Sequence, residues 1–266
     1  MKDLFPFSQV RETQSDLLGE VKEVLKENKS LLAHAPTGIG KTAAVLPPAL
    51  AYALENSKTV FFLTPRHSQH SIAIETLKKV QEKNDVSFGV ADLIGKRWLC
   101  SVDEIDKMSS ADFQDYCKTL KEEERCAYYN KTIDKETTEL TQEGVKAVSK
   151  LQNNILHAEE VKDIFSHLCP YEVLMNSLSK ARVIIADYFH IFHPSVRDVI
   201  FSKAGIDLED TILIIDEAHN LPERTRSLFS SKMSSYQVNS AKKEASKFGF
   251  YQTEEKLERV EMVLND

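Results

Sequence analysis

The chain lacks the features that would place it in or across a membrane. No apolar run among its 266 residues approaches the roughly 20 residues that a membrane-spanning helix needs. Its first six residues carry neither the apolar stretch nor the cleavage pattern of a signal peptide, and the sequence has no internal repeat or low-complexity tract. With a hydrophobic content of 42%, these absences predict a globular, monomeric protein of the cytoplasm, or of the nucleus in a eukaryote, with no membrane partner.

Positively charged residues are also fewer than negatively charged ones. Lys and Arg number 34 against 41 Asp and Glu, which gives a formal net charge of -7. This balance excludes a globally basic nucleic-acid binder. It leaves open a protein that binds nucleic acid along a local groove, because only the potential at the site matters there.

Cysteine is scarce and lacks the close spacing of most structural zinc sites. The four cysteines are Cys100, Cys117, Cys126 and Cys169, and no two of them form a Cys-x-x-Cys pair. Disulfides are not expected in a cytosolic chain. Thiolates suit zinc or iron–sulfur clusters, and the four iron corners of a cubane cluster accept ligands from scattered segments. Because residues 100–170 are polar and offer little core for unrelated buried thiols, we favour a metal centre, with iron–sulfur ahead of zinc.

Residues 35–42, Ala-Pro-Thr-Gly-Ile-Gly-Lys-Thr, predict a phosphate-binding loop and are called the phosphate loop below. They follow the apolar run Leu31–His34, which predicts a strand, and precede a helix from about residue 43 to residue 55. The glycines let successive backbone N–H groups face one concavity, and the helix adds its positive end. Lys41 is placed to reach phosphates and Thr42 to ligand magnesium. The first residue is Ala where the usual pattern has Gly, so an ordinary strand-to-helix turn is the alternative.

A second stretch far downstream supports the same interpretation. Residues Thr211–Ile215 are apolar and β-branched, so they predict a fully buried strand, which ends in Asp-Glu-Ala-His at residues 216–219. At the end of a parallel strand, Asp216 can meet the ion held by Thr42, and Glu217 can orient a water for attack on a γ-phosphate. Residues 216–219 alone are also compatible with a solvated helix start. The two motifs together favour a nucleotide site.

The other apolar segments alternate between strand and helix patterns. Further strands are predicted at Thr59–Thr64, Val86–Val90 and Ala181–Asp187. Such alternation implies a parallel sheet. The polar residues 100–170 then form an insertion between two strands, and the aromatic run Tyr188–Pro194 predicts a loop. Beyond about residue 235 two helices are predicted, with the turn between them at Gly249.

Two polar residues fit more than one role. Gln14 lies near the start of an amphipathic helix, and although its amide suits an adenine edge, the spacing alone favours a polar residue on the outer face. Arg66 follows the strand Thr59–Thr64, at the end where α/β sheets bind ligands. It is equally compatible with contact to a phosphate backbone and with a solvated turn that caps the next helix.

The combined motifs resemble the XPD-like DNA helicases of superfamily two, which include the DinG and FANCJ relatives. The resemblance covers about residues 5–225, and Ala at the head of the phosphate loop is usual in that family. The matching motifs are Arg11-x-x-Gln14, the phosphate loop, Gly95-Lys-Arg-Trp-Leu-Cys100, Cys169-Pro-Tyr171, Ala181-x-Val-Ile-Ile-Ala-x-Tyr188 and Asp216-Glu-Ala-His-Asn-Leu221.

The resemblance implies an ATP-dependent DNA helicase that moves 5′ to 3′ on single-stranded DNA, opens forks and acts in DNA repair. Its cofactors would be ATP, magnesium and a 4Fe–4S cluster held by the four cysteines. The implied nucleotide contacts are Arg11, Gln14, Pro36, Thr37, Gly38, Ile39, Gly40, Lys41 and Thr42. The implied magnesium ligands are Thr42 and Asp216, the catalytic residues Lys41, Asp216, Glu217 and His219, and the DNA contact Arg66. The Thr-Pro-Arg sequence at residues 64–66 departs from the Arg-Thr common in relatives.

The implied fold class is α/β, with a RecA-like parallel sheet as helicase motor domain one. This domain would comprise residues 1–95 and 181–230, interrupted by a helical iron–sulfur insertion at 96–180 and followed by the start of a helical arch domain at 231–266. Nothing after Asn220 predicts a second buried sheet, so we expect a chain truncated within the arch that lacks the second motor domain and does not unwind DNA alone. The alternatives are a non-catalytic nucleic-acid or partner-binding module and a P-loop ATPase with a zinc-stabilised insertion.

Overall fold

Four short apolar runs form the strands of one parallel sheet in the computed structural model, which describes residues 3–36, 38–230 and 233–265. The strands are β1 (Thr59–Thr64), β2 (Gly89–Asp92), β3 (Ala181–Asp187) and β4 (Thr211–Ile215). Their spatial order is β2-β3-β1-β4, and every adjacent pair is parallel. The carboxyl ends of all four strands therefore meet at one edge, which confirms the predicted α/β fold class.

The described residues also form α-helices of different lengths. In chain order they are α1 (Glu12–Lys26), α2 (Lys41–Glu55), α3 (His70–Asn84), α4 (Lys96–Leu99), α5 (Ser110–Glu122), α6 (Ala127–Thr132), α7 (Gln142–Gln152), α8 (Ala158–Ile164), α9 (Pro170–Ser177), α10 (Tyr188–Phe192), α11 (Pro194–Ala204), α12 (Leu221–Leu228), α13 (Ser235–Lys247) and α14 (Tyr251–Asn265). Short 3₁₀ helices lie at His67–Gln69, Ile105–Lys107, Leu178–Lys180, Leu208–Asp210 and Ala218–Asn220.

The sheet lies between two apolar layers because successive side chains of a strand point to opposite faces. On β1, Phe61 and Leu63 belong to one buried cluster, whereas Val60 and Phe62 belong to the other. The second cluster contains residues of α2 and α3, and α1 packs on α2. The phosphate loop and the segment after β1 are thereby fixed against a rigid layer.

The insertion has more core than the sequence predicts. Leu151 of α7, Val161 of α8 and Leu174 of α9 belong to the same buried cluster as Phe61 and Leu63 of the sheet. The prediction that residues 100–170 offer little core is therefore wrong. In α7, Ala147, Val148 and Leu151 lie on one side of the helix and make it amphipathic. This apolar side belongs to the core on one face of the sheet.

Three further expectations need correction. Leu31–His34 is exposed and has no regular secondary structure, so the strand predicted before the phosphate loop is wrong. β4 is a strand as predicted, but it is only partly buried because β1 is its one neighbour in the described sheet. The aromatic run after β3 contains the short helix α10, whose first turn is capped by the Asp187 side chain accepting from Phe189 N at 2.8 Å, rather than a loop.

The chain divides into two compact units, residues 1–221 and residues 222–266. In the second unit, α13 and α14 pack together, joined by a turn at Gly249 with φ 75°, as predicted. Lys242 Nζ lies 2.7 Å from Glu261 Oε2 and ties the two helices together. Among the described residues, no helix combines the length and apolar character needed to cross a membrane.

Candidate functional site

The phosphate loop bends through two glycines with left-handed backbone conformations. Gly38 has φ 85° and Gly40 has φ 83°, values that cost residues with a side chain free energy. A Cβ on Gly40 would also lie 2.3 Å from Gln14 Nε2. The chain then enters α2 at Lys41, so the positive end of that helix faces the loop. Thr37, one of the implied nucleotide contacts, lies outside the described residues.

Gln14 contacts the phosphate loop directly. Its side chain is 4% exposed, and its Nε2 donates to Gly40 O at 3.4 Å. Its Oε1 accepts from Arg11 N at 3.1 Å, and Arg11 Nη1 donates to Gly38 O at 3.2 Å. The interpretation of Gln14 as an outer-face residue is therefore wrong. The start of α1 is held against the loop by two side chains of the Arg-x-x-Gln motif.

The acidic residues after β4 come close to the phosphate loop. Lys41 Nζ lies 3.3 Å from Glu217 Oε1, although the two residues are 176 positions apart. Asp216 N donates to Leu63 O at 2.8 Å and so continues the pairing of β4 with β1. Glu217 has a left-handed conformation with φ 53°. This bend turns the chain out of the sheet and directs the Glu217 carboxylate towards Lys41.

The bend at Asp216 and Glu217 is held by neighbouring polar side chains. The Tyr188 hydroxyl donates to the carbonyl oxygens of both residues, at 3.0 Å for Glu217. Asn220 Nδ2 donates to the same Glu217 carbonyl at 3.1 Å. Tyr188 and Asn220 both belong to the matched motifs, so these motif residues act through the backbone geometry of the acidic pair.

Electrostatics around the acidic pair favour a cation. Burial raises the pKa of Asp216, and the adjacent Glu217 carboxylate raises it further, while Lys41 opposes both effects. A carboxyl group whose ionisation is disfavoured in this way gains from a nearby positive ion. Thr42, in the first turn of α2, is partly buried. These side chains provide the oxygen ligands that magnesium prefers.

The remaining predicted residues surround this centre. His219 is 72% exposed, and its Nδ1 lies 3.4 Å from Glu217 Oε2. Pro36 is exposed, and Ile39 packs on the cluster that joins α1 to α2. Arg66 is exposed at the carboxyl edge of the sheet, just after β1.

The four cysteines line one cavity in the insertion. Cys100, Cys117, Cys126 and Cys169 are all free thiols and partly buried. The cavity encloses about 380 Å³ of space free of protein atoms, part of it open to solvent. Other residues that line it are Lys96, Phe113, Lys121, Tyr171 and Glu172. Burial raises the pKa of the Cys169 thiol to about 12 and also raises that of Cys100, so a bound metal would have to displace protons.

The sulfur atoms are spread apart around this cavity. Among the described residues, no three cysteine sulfurs lie within 4.8 Å of one another. A single tetrahedral zinc holds its sulfurs about 3.8 Å apart, as Zn–S bonds of about 2.3 Å require. Cys126 and Cys169 precede the first residues of α6 and α9, where helix dipoles favour negative charge. All four side chains are thiols, the donors that suit both zinc and iron–sulfur clusters.

A second group of metal-binding side chains escapes the sequence analysis. His67, His70 and Asp92 each offer one ligand atom, and these atoms lie within 4.8 Å of one another. Burial lowers the pKa of His67, and the neighbouring His70 lowers it further. The sequence signal that could have revealed this group is the His-x-x-His spacing after β1 together with the Asp at the end of β2.

Comparisons with known proteins agree with these motifs. Residues 62–238 match the DEAD_2 family, and residues 17–98 match the DEAD/DEAH box helicase family. The chain is 31% identical over 213 residues to the ATP-dependent DNA helicase XPD of Sulfolobus acidocaldarius, covering 80% of this chain and 33% of that protein. It is 22% identical over 241 residues to the XPD/RAD3 helicase subunit of general transcription and DNA repair factor IIH from Saccharomyces cerevisiae, covering 82% and 30%.

A solved structure of a truncated XPD has a similar fold. The TM-score is 0.55 at 27% sequence identity, and the match covers 85% of this chain and 58% of that one. The chain spans about a third or less of the length of the curated relatives described above.

Proposed function

Since the DEAD_2 match covers well over half of it, the chain belongs to the XPD-like family of superfamily-two helicases, and we propose that it is the first motor domain of an ATP-dependent DNA helicase. The observation that carries this proposal is the 3.3 Å approach of Lys41 to Glu217. It joins the phosphate loop to the Asp-Glu-Ala-His motif, as a nucleotide site requires. The named relatives, which are DNA helicases, support the same activity.

Each nucleotide-site residue has a proposed role. Lys41 and the backbone N–H groups of the phosphate loop, including Gly38 and Gly40, bind phosphate oxygens. Thr42 and Asp216 hold magnesium, which when bound neutralises charge on the phosphates. Glu217 orients the attacking water.

The remaining contacts complete the proposal. Arg11 and Gln14 bind the adenine edge from the start of α1, and Pro36, Thr37 and Ile39 are further nucleotide contacts. His219 couples hydrolysis to DNA, since it lies next to Glu217 and is exposed. Arg66 contacts the DNA backbone from the exposed end of β1. This contact is phosphate-directed and would add to affinity without reading sequence.

Strand separation would need a second motor domain. Helicases of this class bind ATP between two motor domains, and an arginine from the second contributes about 10³–10⁵ in rate in related phosphoryl-transfer systems. The described residues contain one parallel sheet. We therefore propose that residues 1–95 and 181–230 form motor domain one, that 231–266 begin an arch domain, and that these 266 residues bind nucleotide and single-stranded or fork DNA without unwinding it.

The insertion, residues 96–180, would hold a 4Fe–4S cluster through Cys100, Cys117, Cys126 and Cys169. The shared cavity and the Lys96 side chain at its wall support this proposal, since a cluster with four thiolates carries negative charge. The cluster would supply a crosslink between segments far apart in sequence. Anaerobic iron and sulfide assays should find about four irons per chain. One zinc and no iron would instead favour the ATPase with a zinc-stabilised insertion.

The test of the catalytic assignment is ATP hydrolysis by the purified 266 residues with single-stranded DNA present. Glu217→Gln should abolish the measurable rate while Mg-ATP binding persists, because the amide cannot act as a base. Glu209→Gln, at an exposed glutamate before β4, is the control and should keep the rate. A Glu217→Gln variant with the full rate would contradict the assignment, and strand separation by the unaltered 266 residues would contradict the need for a second motor domain.

A further inference from the structure

A buried histidine and aspartate cluster lies at the carboxyl edge of the sheet, apart from the nucleotide site and the cysteine cavity. Asp92 is the last residue of β2, and His67 and His70 follow β1. β2 and β4 are the two outermost strands, so Asp92 and Asp216 belong to opposite sides of the sheet. None of the three residues lines the cysteine cavity.

Two ring nitrogens in this cluster are buried without a hydrogen-bond partner. They are His67 Nε2 and His70 Nε2. A buried polar atom left unpaired costs about 1–3 kcal/mol in most contexts, so such atoms usually have a partner. When the proton of a neutral imidazole is on Nδ1, the Nε2 atom carries a lone pair. Both Nε2 atoms are therefore available to ligate a cation.

Asp92 supplies the negative charge and fixes the orientation of His70. The side chains of Asp92 and His70 are 0% and 1% exposed, and Asp92 Oδ1 lies 2.5 Å from His70 Nδ1. The second oxygen, Oδ2, accepts from Ala158 N at 2.8 Å. When Nδ1–H donates to the carboxylate, the lone pair is on Nε2, which is the arrangement that orients histidine ligands in metal proteins.

His157 brings the insertion to the same place. It precedes α8, its Nε2 lies 3.6 Å from Asp92 Oδ2, and its ring centroid is 5.2 Å from that of His67. Three imidazoles and one carboxylate thus meet where β1, β2 and the insertion join. Oxygen-rich sites suit magnesium and calcium, whereas imidazole donors suit zinc and other first-row transition ions.

We propose that His67 and His70 bind one divalent transition-metal ion through their Nε2 atoms, for which zinc is the probe, with Asp92 holding His70 from the other side of its ring and His157 at the open side of the site. Two imidazoles leave positions for water molecules or for further side chains. The ion joins the two histidines of the segment after β1, and the contact of His70 with Asp92 ties that segment to the end of β2. The ion therefore fixes the segment that begins at Arg66 relative to the sheet.

The experiment measures zinc per chain by mass spectrometry after equilibration with buffered zinc, for the 266-residue protein and its variants. His67→Ala should lose one equivalent, or bind it at least about tenfold more weakly, because it removes a donor at a partly exposed position where the fold tolerates change. His34→Ala, at an exposed histidine outside the cluster, is the control and should keep the full stoichiometry.

Cobalt substitution separates this site from the cysteines. The cobalt equivalent that the unaltered protein binds and His67→Ala does not should contribute d–d absorption to the spectrum. It should not contribute the sulfur-to-cobalt charge-transfer band that thiolate ligation produces. Unchanged zinc stoichiometry and affinity in His67→Ala would overturn the proposal, and so would a lost equivalent with a charge-transfer band. Circular dichroism of each variant establishes that the fold is retained, and His70→Gln provides a second test with a side chain of similar size.

Discussion

The two outer strands of the sheet lead into carboxylates that lie in different surroundings. β2 is covered by helices, and the Asp92 side chain at its end is fully buried. β4 is partly exposed along its whole length, and the partly buried Asp216 and Glu217 follow it. Packing is thus complete at the β2 side, where the insertion contributes to the core. The β4 side keeps polar groups accessible, which suits the binding of nucleotide and of a further domain.

The largest predicted effect compares one leucine from each side. Leu151→Ala, in the core shared by the insertion and the sheet, should cost about 2–5 kcal/mol in the free energy of unfolding, since it leaves a cavity. Leu213→Ala, on β4 at 38% exposure, should cost less than about 1.5 kcal/mol. Equilibrium urea unfolding measures both values. Equal losses would contradict the contrast between the two sides.

The second prediction concerns a glycine of the phosphate loop. Gly40→Ala should weaken Mg-ATP binding at least about tenfold, because the added methyl group occupies the place of the Gln14 amide and breaks its hydrogen bond to the phosphate loop. Gly205→Ala is the matched control, since Gly205 has φ 68° and open space around it. Both variants should lose about 1–2 kcal/mol of stability from the left-handed backbone. Nucleotide affinity should change only in Gly40→Ala, and a similar loss in both would refute the packing argument.

The smallest predicted effect compares two carboxyl groups at the same edge of the sheet. Burial acts to raise the pKa of Asp187, but the His190 side chain, the Phe189 N–H and the His70 side chain together outweigh burial, and the net pKa is lowered from 3.8. Its charge therefore stabilises the fold above pH 3.8, and this contribution is lost as the pH falls through the lower folded value. For Asp216 the pKa is raised from 3.8, so the folded state favours the neutral carboxyl group. This group contributes to the stability of the fold below pH 3.8, and the contribution is lost as the pH rises through the folded pKa.

The two asparagine variants should consequently differ in sign at pH 7. Asp187→Asn should destabilise the fold and Asp216→Asn should stabilise it, each by less than about 1 kcal/mol because solvent screens partly exposed charges. Asparagine keeps the capping ability of Asp187, so the comparison isolates charge. Urea unfolding at pH 7 and at pH 3 measures the differences. A stabilised Asp187→Asn variant or a destabilised Asp216→Asn variant at pH 7 would contradict the assigned pKa directions.

The strands were predictable where side-chain pattern and burial agree. β1, β3 and β4 occupy the predicted residues, and β2 lies three residues further along than Val86–Val90 at its start. Leu31–His34 has the same apolar character but is exposed and pairs with nothing in the described sheet, so apolar composition alone reports neither burial nor hydrogen-bonded pairing. α10 was missed because the Asp187 cap lies in the preceding strand, where a strand pattern conceals it.

Site residues were predictable where a motif is contiguous in sequence. The phosphate loop and residues 216–219 could be identified from such patterns. The contact of Gln14 with Gly40 could not, because it depends on how α1 packs on α2. The histidine and aspartate cluster could not be predicted either. His67 and His70 follow β1 and Asp92 ends β2, and these two strands are not adjacent in the sheet, so the proximity of the three residues depends on the strand order.

The most direct test of the account is equilibrium binding of Mg-ATP to the 266 residues and to two lysine variants. Lys41→Ala should weaken binding at least about tenfold, since it removes the cation proposed to bind the phosphates. Lys58→Ala is the matched control, because Lys58 is similarly exposed and lies 3.2 Å from its own acidic partner, Asp210. Its affinity should equal that of the unaltered chain. Equal Mg-ATP affinity in Lys41→Ala and the unaltered chain would contradict the proposal that the phosphate loop forms a nucleotide site.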